Sequence, residues 1–387
     1  MSALDIRGLI LIDTAQAGLP FALAPLALLD VAGMSPLERV AERLQRQGVS
    51  ALTVVSEESS ASRRYRPLPQ GIVCRSAARG RFWRVAESAF NDLAHNGADL
   101  VLVIRLGAYA EVHFDELVQF HLEGQRRVSQ VVWCAEPLEI FCLTASRRND
   151  AASLFRSRLA HCRCECELFA HSGYFNPLAG PRDLRQFAID VLTLQAETGP
   201  AGTEIRPGVW VASGASIEKG SRILAPAFIG ASSQVRCGAV ITRCTSIEHH
   251  AHVDCGTVVE NSTVLPYSYV GAGLDVAHSV LGMGHIANLR RGISVEVPDK
   301  KLLGQVSPAW RRELLRVAGR LPGRIWQSIF GDVPAPQPPL QEVARQPSPE
   351  EDAMGRPAPA LGVSPRDAKV AGELASDLAV ARRYGNQ

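Results

Sequence analysis

Residues 205–265 read IRPGVWVASGASIEKGSRILAPAFIGASSQVRCGAVITRCTSIEHHAHVDCGTVVENSTVL. An aliphatic residue returns at every sixth position of this stretch, in the unbroken series Ile205, Val211, Ile217, Ile223, Ile229, Val235, Ile241, Ile247, Val253, Val259 and Leu265. Four residues after each aliphatic position, from Ala215 to Thr263, only Ala, Ser or Thr occurs. A period of six matches neither the helical repeat of 3.6 nor strands separated by irregular turns. The repeat therefore predicts a β-helix, in which short strands wind into stacked coils around a buried aliphatic core.

The hexad also sets the limits of this domain. Three hexads form one three-sided coil of 18 residues, so the series corresponds to about three and a half to four coils. We expect the β-helix to occupy residues 203–300 and to be entered through Pro207 and Gly208. At Gly271 the aliphatic residue is missing and Val270 replaces it, which predicts a phase slip there and an irregular final coil over 271–300.

Residues 1–200 alternate apolar strand-like runs with amphipathic helical segments. Strands are predicted at 8–12, 51–55, 100–106, 131–133 and 139–143, and helices at 36–47, 82–94 and 114–122. Ser35 is the expected N-cap of the first helix and Gly48 ends it. Fully apolar strands that alternate with helices favour an α/β layer with a parallel sheet.

Composition and charge narrow the class of protein. Hydrophobic residues make up 46% and charged residues 21%, as in soluble globular chains. A formal net charge of +2 gives no overall attraction to nucleic acid. No signal peptide and no apolar run of about 18 residues is visible, so we expect a cytoplasmic protein with its nine cysteines reduced.

The C-terminal part separates into two segments. Trp310–Phe330 combines five arginines with a row of aliphatic and aromatic residues, and 331–387 is Pro-rich and predicted to be disordered. Such a basic amphipathic stretch either caps the open end of the β-helix or lies on an anionic membrane surface as a peripheral contact. The expected domains are therefore 1–200, 203–300, a cap helix over 307–330 and a tail over 331–387.

Four local strings share their pattern with one enzyme family. They are residues 24–40 (APLALLDVAGMSPLERV), 48–55 (GVSALTVV), 112–121 (VHFDELVQFH) and 173–178 (GYFNPL), the last followed by a helix over 182–194. With the β-helix behind them, they resemble the nucleoside-diphosphate-sugar pyrophosphorylases, which are sugar-1-phosphate nucleotidyltransferases. The resemblance covers residues 7–295. It implies a Rossmann-like nucleotidyltransferase-type domain followed by a left-handed parallel β-helix, and copies that associate through the coil faces.

The chain departs from this family at the positions that carry catalysis. The phosphate loop reads DTAQAG over 13–18, with one Gly and no Arg, and the family's lysine falls on Leu26. The metal-binding Asp aligns with Gly107, beside Arg105, and the first lysine of the chain is Lys219. These departures predict a catalytically impaired protein with no metal site and no evident cofactor, for which Mg²⁺ matters only if residual activity exists. It would bind a nucleotide sugar or sugar phosphate, or act as a regulatory or scaffold subunit in surface-polysaccharide metabolism. The substrate-binding candidates are Asp13, Thr14, Gln16, Gly18, Arg79, Arg81 and Glu111.

Three histidines on one coil, His249, His250 and His252, give the alternative function. Hexapeptide-repeat acyltransferases share this solenoid and use a histidine as the general base that deprotonates an acceptor hydroxyl or amine. Their site lies between subunits and often beside a loop that leaves the coil, whereas the hexads here are uninterrupted. The alternative is that these residues are exposed turn histidines without a catalytic role.

The cysteines allow two further expectations. Cys162, Cys164 and Cys166 alternate along a predicted strand, which spaces them by about 6.6 Å. Ligands of a single Zn²⁺, bound at about 2.3 Å, lie closer together than that, so packing is the favoured role. Cys237 and Cys255 are 18 residues apart and should stack in adjacent coils at about 4.8 Å as free thiols.

Overall fold

The computed structural model describes residues 4–13, 25–57, 71–78, 80–145 and 167–306. Several predicted residues lie outside the described ranges, namely Thr14, Gln16, Gly18, Arg79, Cys162, Cys164, Cys166 and the segment Trp310–Phe330. Among the helices of the described ranges, none has the length and apolar character needed to cross a membrane.

The N-terminal sheet region comprises the described residues up to 200. Its strands are β1 (Ile6–Ile12), β2 (Ala51–Glu57), β3 (Ile72–Ala77), β4 (Leu100–Arg105), β5 (Tyr109–Ala110), β6 (Val128–Trp133), β7 (Glu136–Thr144), β8 (Glu167–His171) and β9 (Phe175–Asn176). Its helices are α1 (Pro36–Arg46), α2 (Phe82–His95), α3 (Phe114–Glu123) and α4 (Pro181–Leu192), with a short 3₁₀ turn at Leu26–Leu28.

The main sheet of this region is mixed rather than wholly parallel, which corrects the prediction. Its order is β3-β2-β1-β4-β7-β6-β8. The first four strands are parallel, but β7 runs antiparallel to both β4 and β6. The cause is the two-residue turn Cys134–Ala135, in which both residues have positive φ, at 48° and 69°. A turn this short can join only antiparallel strands, and it lacks the Asn-Gly or Asp-Gly signature that would have revealed it.

Helices cover both faces of this sheet. Along β1, Ile10 and Ile12 pack into the core shared with α1, α3 and α4, while Leu9 and Leu11 pack into the core shared with α2. Alternate residues of a strand point to opposite faces, so a strand covered on both sides must be apolar throughout. The predicted α1 cap is confirmed, because Ser35 and Glu38 form a reciprocal capping box.

The coil region follows at residues 203–306. Its strands are β10 (Thr203–Arg206), β11 (Val209–Val211), β12 (Ser216–Ile217), β13 (Arg222–Ile223), β14 (Ala227–Ile229), β15 (Gln234–Val235), β16 (Val240–Thr242), β17 (Thr245–Ile247), β18 (His252–Val253), β19 (Val258–Glu260), β20 (Thr263–Val264), β21 (Ser268–Val270), β22 (Asp275–Ala277), β23 (Ser279–Gly282), β24 (His285–Asn288), β25 (Ile293–Glu296) and β26 (Leu303–Gln305).

The chain winds repeatedly through three parallel sheets in this region. From β11 to β16, each strand pairs in parallel with a strand 18 residues later, as Val209 does with Ala227 and Ala227 with Thr245. The aliphatic positions of the hexad face inward and are fully buried at Ile229, Val235, Ile241, Ile247, Val253 and Val259. The small residues between them are buried as well. The Ser233 hydroxyl, for example, donates a hydrogen bond to the carbonyl of Gly230 at 2.6 Å. Small polar residues therefore fit the tight corners because the turn itself accepts their hydrogen bonds.

Two ends of the hexad series differ from the prediction. Ile247 pairs with Val264, only 17 residues on, so the slip occurs between Glu260 and Thr263 rather than at Gly271. Leu265 consequently turns out of the coil and packs into the core of the N-terminal sheet region. Ile205 lies before the first coil, on a strand antiparallel to β11, and is 53% exposed. A single missing residue thus shifts the later coils and explains why Val270 replaces position 271.

Candidate functional site

The carboxyl edge of the N-terminal sheet is the first candidate location, since open α/β sheets bind ligands beyond the carboxyl ends of their parallel strands. Asp13 follows β1 directly, and Arg105 is the last residue of the adjacent β4. The Arg105 guanidinium donates to Asp13 Oδ2 at 2.6 Å and to Glu139 Oε2 at 3.0 Å. Burial alone would lower the pKa of Arg105, but its hydrogen bonds to Glu139 and Asp13 raise that pKa above its usual value. The guanidinium is therefore a permanent cation between two carboxylates.

An aromatic residue covers this ion group. The guanidinium carbon of Arg105 lies 5.4 Å from the ring centre of Trp83, which is 36% exposed in the first turn of α2. Asp13, Arg105, Glu139 and Trp83 are called the sheet-edge cluster below. Arg81, at the N-cap position of α2, is exposed beside it and does not cap the helix.

Glu111 has a different environment from the other predicted residues. It is fully buried, and its Oε1 accepts the hydroxyl of Tyr109 at 2.9 Å. Its Oε2 accepts the backbone N–H of Glu197 at 2.7 Å, and Oε1 also accepts that of Thr198. The carboxylate therefore fixes the segment that leads from α4 to the coil region and presents no surface to solvent.

A second candidate location lies where the loop before α1 meets the coil. His249 Nδ1 and Asp30 Oδ2 are 2.7 Å apart, and the two residues are only 8% and 5% exposed. Within the described ranges, the other ring nitrogen of His249, Nε2, is buried and has no hydrogen-bond partner. A carboxylate on Nδ1 favours the tautomer that carries its proton there, which leaves the Nε2 lone pair free to act as a base. Asp30 and His249 are called the junction dyad below.

Glu248 holds the Asp30 loop in place. It is fully buried, and its two oxygens accept the backbone N–H groups of Ala32 at 2.8 Å and Gly33 at 2.9 Å. Burial is the main cause that raises its pKa, and the neighbouring charge of Asp30 adds to the effect. The loop has no room to shift at Gly33, where φ is +88° and a Cβ would lie 2.6 Å from the Phe228 ring. Glu248 thus positions the loop that carries Asp30.

The junction dyad borders a cavity of about 470 Å³. The lining is made of small and mostly apolar residues with three polar side chains, and comprises Gly33, Ala201, Gly202, Thr203, Val211, Ala212, Ser213, Ala231 and His249. This volume accommodates a small organic group such as an acyl chain or a sugar. The arrangement places an oriented histidine at the edge of this cavity, with its Nε2 atom buried.

The three histidines do not form one site. His250 stacks on Tyr267 with ring centres 4.8 Å apart, and His249 meets the same ring edge-on at 5.2 Å. Burial, and then the charge of His249, lower the pKa of His250. His252 belongs to β18 and pairs with Gln234 and Tyr269 in another of the three sheets. The expectation of exposed turn histidines is wrong for His249, because the loop before α1 covers it.

The structure adds residues that the sequence did not single out. Asp30 is 219 positions from His249, and no local motif connects them. Trp83 and Glu139 join Asp13 and Arg105 through strand order, which the sequence predicted only in part. The nearest sequence signal was Arg105 itself, which stands beside the expected metal position.

No protein-family model matches this chain, and no curated protein is significantly similar to it in sequence.

Proposed function

We propose that this protein is a nucleotidyltransferase-like protein that binds a nucleotide sugar or sugar phosphate without transferring a nucleotidyl group. The proposed architecture is a Rossmann-like domain over 1–200 and a left-handed β-helix over 203–300, with copies that associate through the coil faces. Its role is regulation or scaffolding in nucleotide-sugar metabolism. The observation that carries the proposal is Arg105, held between Asp13 and Glu139 at the carboxyl edge of the parallel strands.

The ion group argues against catalysis by a metal ion. A Mg²⁺ ion that used Asp13 would lie within a few ångströms of the Arg105 guanidinium, and like charges at that distance repel. Arg105 cannot lose its proton to make room, because hydrogen bonds to both carboxylates favour its charged form. The cluster has a formal charge of −1, from two carboxylates and one guanidinium, and both carboxylates are already paired with Arg105, which disfavours a hydrated cation at this place.

The surroundings of Trp83 supply the groups that such a ligand needs. Its exposed face can stack on a nucleobase or a sugar ring, and one stacked base contributes about 1–3 kcal/mol. Arg81 and Arg84 are exposed at the start of α2, and their charges together with the positive end of the helix favour a phosphate group. Stacking and phosphate contacts together fit a nucleoside diphosphate sugar.

Thermal unfolding with a panel of nucleotide sugars tests the proposal. Wild-type protein should gain thermal stability with at least one nucleotide sugar. It should also release no pyrophosphate from any nucleoside triphosphate in the presence of Mg²⁺ and sugar 1-phosphates. Trp83→Ala should remove the gain, while the control Leu122→Ala, which trims an exposed apolar side chain on α3, should retain it. Pyrophosphate release would overturn the non-catalytic role, and a gain unchanged in Trp83→Ala would overturn the placement of the ligand.

A second candidate function, hexapeptide acyltransferase, is favoured by the junction dyad. A carboxylate-oriented histidine with a free nitrogen beside a cavity is the arrangement that general-base catalysis requires. In this case incubation with acetyl-CoA and amine or sugar acceptors would release free thiol, and His249→Asn would abolish the release. His252→Asn, on a different sheet, is the matched control. Thiol release that persists in His249→Asn would exclude the dyad as the base.

A further inference from the structure

Three side chains with metal-binding atoms meet on the surface of the coil region. Cys237 Sγ and Cys255 Sγ are 3.1 Å apart. A carboxylate oxygen of Glu218 lies with both sulfur atoms in a group whose members are all within 4.8 Å of one another. Glu218 and Cys255 are half-buried and Cys237 is exposed. This cluster is independent of both candidate sites described above.

The coil register creates the cluster. Val235 pairs with Val253, so the cysteines two residues after each strand fall at the same corner of adjacent coils. Both cysteines precede a glycine with left-handed φ, Gly238 at 69° and Gly256 at 68°, which gives the two corners the same turn. The stacking predicted from their 18-residue separation is confirmed, and the parallel sheets hold the two Cα positions fixed.

Glu218 is directed to this corner by its own hydrogen bonds. Its Oε2 accepts the backbone N–H of Cys237 at 2.9 Å, and its Oε1 accepts from the Arg236 guanidinium at 3.2 Å. Both oxygens retain a lone pair. Asp254 accepts the Cys255 N–H at 2.7 Å and the Tyr269 hydroxyl at 2.7 Å, and in the described ranges it is Glu218 whose oxygen lies within 4.8 Å of both sulfur atoms. Glu218 is therefore the oxygen ligand of this corner.

We propose that Glu218, Cys237 and Cys255 form a binding site for a thiophilic divalent cation of the Zn²⁺ class, with a water molecule as the fourth ligand. Zn²⁺ binds thiolate sulfur at about 2.3 Å, so two sulfur ligands of a tetrahedral ion stand about 3.8 Å apart. Small rotations of the two cysteine side chains would bring the sulfur atoms from the observed 3.1 Å to this separation. Two sulfur ligands exclude Mg²⁺ and Ca²⁺, which take oxygen ligands.

The charges at the corner suit a dication. Two thiolates and one carboxylate carry three negative charges. Zn²⁺ and the guanidinium of Arg236 together supply three positive charges. Binding displaces the two thiol protons to the solvent, and no electron is transferred. The protein needs no rearrangement of its backbone, because the corner is built on three paired coils.

Metal retention by the full-length, reduced protein tests the site. After exposure to Zn²⁺ and dialysis, wild-type protein should retain a metal equivalent that Cys237→Ser and Cys255→Ser both lose, with affinity lowered by about 100-fold or more. Glu218→Gln should weaken binding by about tenfold. Cys134→Ser, which changes an exposed free cysteine in the N-terminal sheet region, is the matched control and should bind as wild type does.

Spectroscopy identifies the ligands. Cd²⁺ should produce the ultraviolet thiolate charge-transfer band, and Co²⁺ the visible bands of a tetrahedral site, in wild type and Cys134→Ser but with much lower intensity in Cys237→Ser. Unchanged thermal unfolding of the variants in the absence of metal would show that they fold. The proposal is overturned if retention and spectra are the same in Cys237→Ser as in wild type. It is also overturned if the two thiols are recovered as a disulfide under reducing conditions with no metal bound.

Discussion

The sheet-edge cluster and the junction dyad both bury a carboxylate against a nitrogen-containing side chain, but the two side chains differ in whether they can lose their charge. Asp13 is paired with Arg105, whose charge is permanent and whose hydrogen bonds are shared with Glu139. Asp30 is paired with His249, which can exist without charge and keeps one nitrogen unpartnered in the described ranges. The first arrangement holds a fixed positive charge between two carboxylates. The second leaves proton-transfer chemistry available.

A second buried histidine, His121, has hydroxyl groups as partners where His249 has a carboxylate. His121 is 1% exposed, and both its nitrogens face hydroxyls, Ser129 Oγ at 2.9 Å and Thr144 Oγ1 at 2.8 Å. Burial lowers the pKa of His121 to about 4, and the charge of Arg126 adds to the effect. His121 is thus a satisfied structural residue, whereas His249 has a carboxylate at Nδ1 and, in the described ranges, a buried Nε2 without a hydrogen-bond partner.

The largest effect is expected at Glu248, which holds the loop of the junction dyad. Glu248→Ala removes the buried carboxylate that accepts the N–H groups of Ala32 and Gly33, and losing such a hydrogen bond costs about 1–3 kcal/mol. We expect the free energy of unfolding, measured by urea titration, to fall by about 4 kcal/mol. Glu260→Ala, which removes a carboxylate paired with the exposed Arg243, is the control and should lose less than about 1 kcal/mol. A loss that small for Glu248→Ala would show that the loop is held by other contacts.

The next effect concerns the sheet-edge cluster. Arg105→Leu leaves Asp13 with an unpaired buried charge, and we expect unfolding free energy to fall by about 3 kcal/mol. Adding Asp13→Asn should recover part of this loss, because the uncompensated charge is then absent. Arg75→Leu, at the half-exposed pair with Asp92, is the control.

The response to Mg²⁺ tests whether Arg105 keeps a metal ion out of the sheet-edge cluster. Wild-type protein should show no change in thermal unfolding with Mg²⁺, whereas Arg105→Leu should be stabilised because the guanidinium that repels a cation beside Asp13 is then removed. An equal response in both proteins would show that Arg105 does not occupy a metal position.

Local pattern accounts for the parts of the fold that could be predicted. The hexad predicts the coil because the inward position repeats regardless of what lies outside, and Ser35 with Glu38 predicts the start of α1 because a cap is made within four residues. The phase slip of the hexad lies between Glu260 and Thr263, whereas the sequence predicts it one coil side later, at Gly271. Val264 and Leu265 are both aliphatic, and only their neighbours decide which one faces inward.

The candidate sites depend on contacts between distant segments, which no local pattern specifies. Asp30 meets His249 on a loop that Glu248 binds at Ala32 and Gly33 and that Arg39 binds at the Val31 carbonyl. The antiparallel β7 brings Glu139 to Arg105, and this strand direction is set by the Cys134–Ala135 turn. Residue types were therefore identifiable from the sequence, while their partners were not.

The pH dependence of stability tests the role of the buried His121. The pKa of His121 falls from about 6.5 in the unfolded chain to about 4 in the folded one, so the unfolded state binds more protons between these values. The stability that neutral His121 contributes is present above pH 6.5 and is lost as the pH falls toward 4. We expect wild type to lose about 2 kcal/mol more than His121→Gln across this window, measured by urea unfolding at each pH. Parallel curves for the two proteins would show that His121 is not responsible.

The smallest effect in stability, and the most informative about chemistry, is expected at Asp30. Asp30→Asn keeps the shape of the side chain but replaces a charge-assisted hydrogen bond with a neutral one, so unfolding free energy should fall by only about 1 kcal/mol. Nitrogen NMR of the histidine rings should show His249 of wild type protonated at Nδ1, and Asp30→Asn should shift protonation toward Nε2 because the amide can donate to Nδ1. His121, far along the chain and bound only to hydroxyls, is the internal control and should keep its signals. If wild-type His249 instead carries its proton on Nε2, the dyad has no free base, and the acyltransferase alternative loses the one observation that favours it.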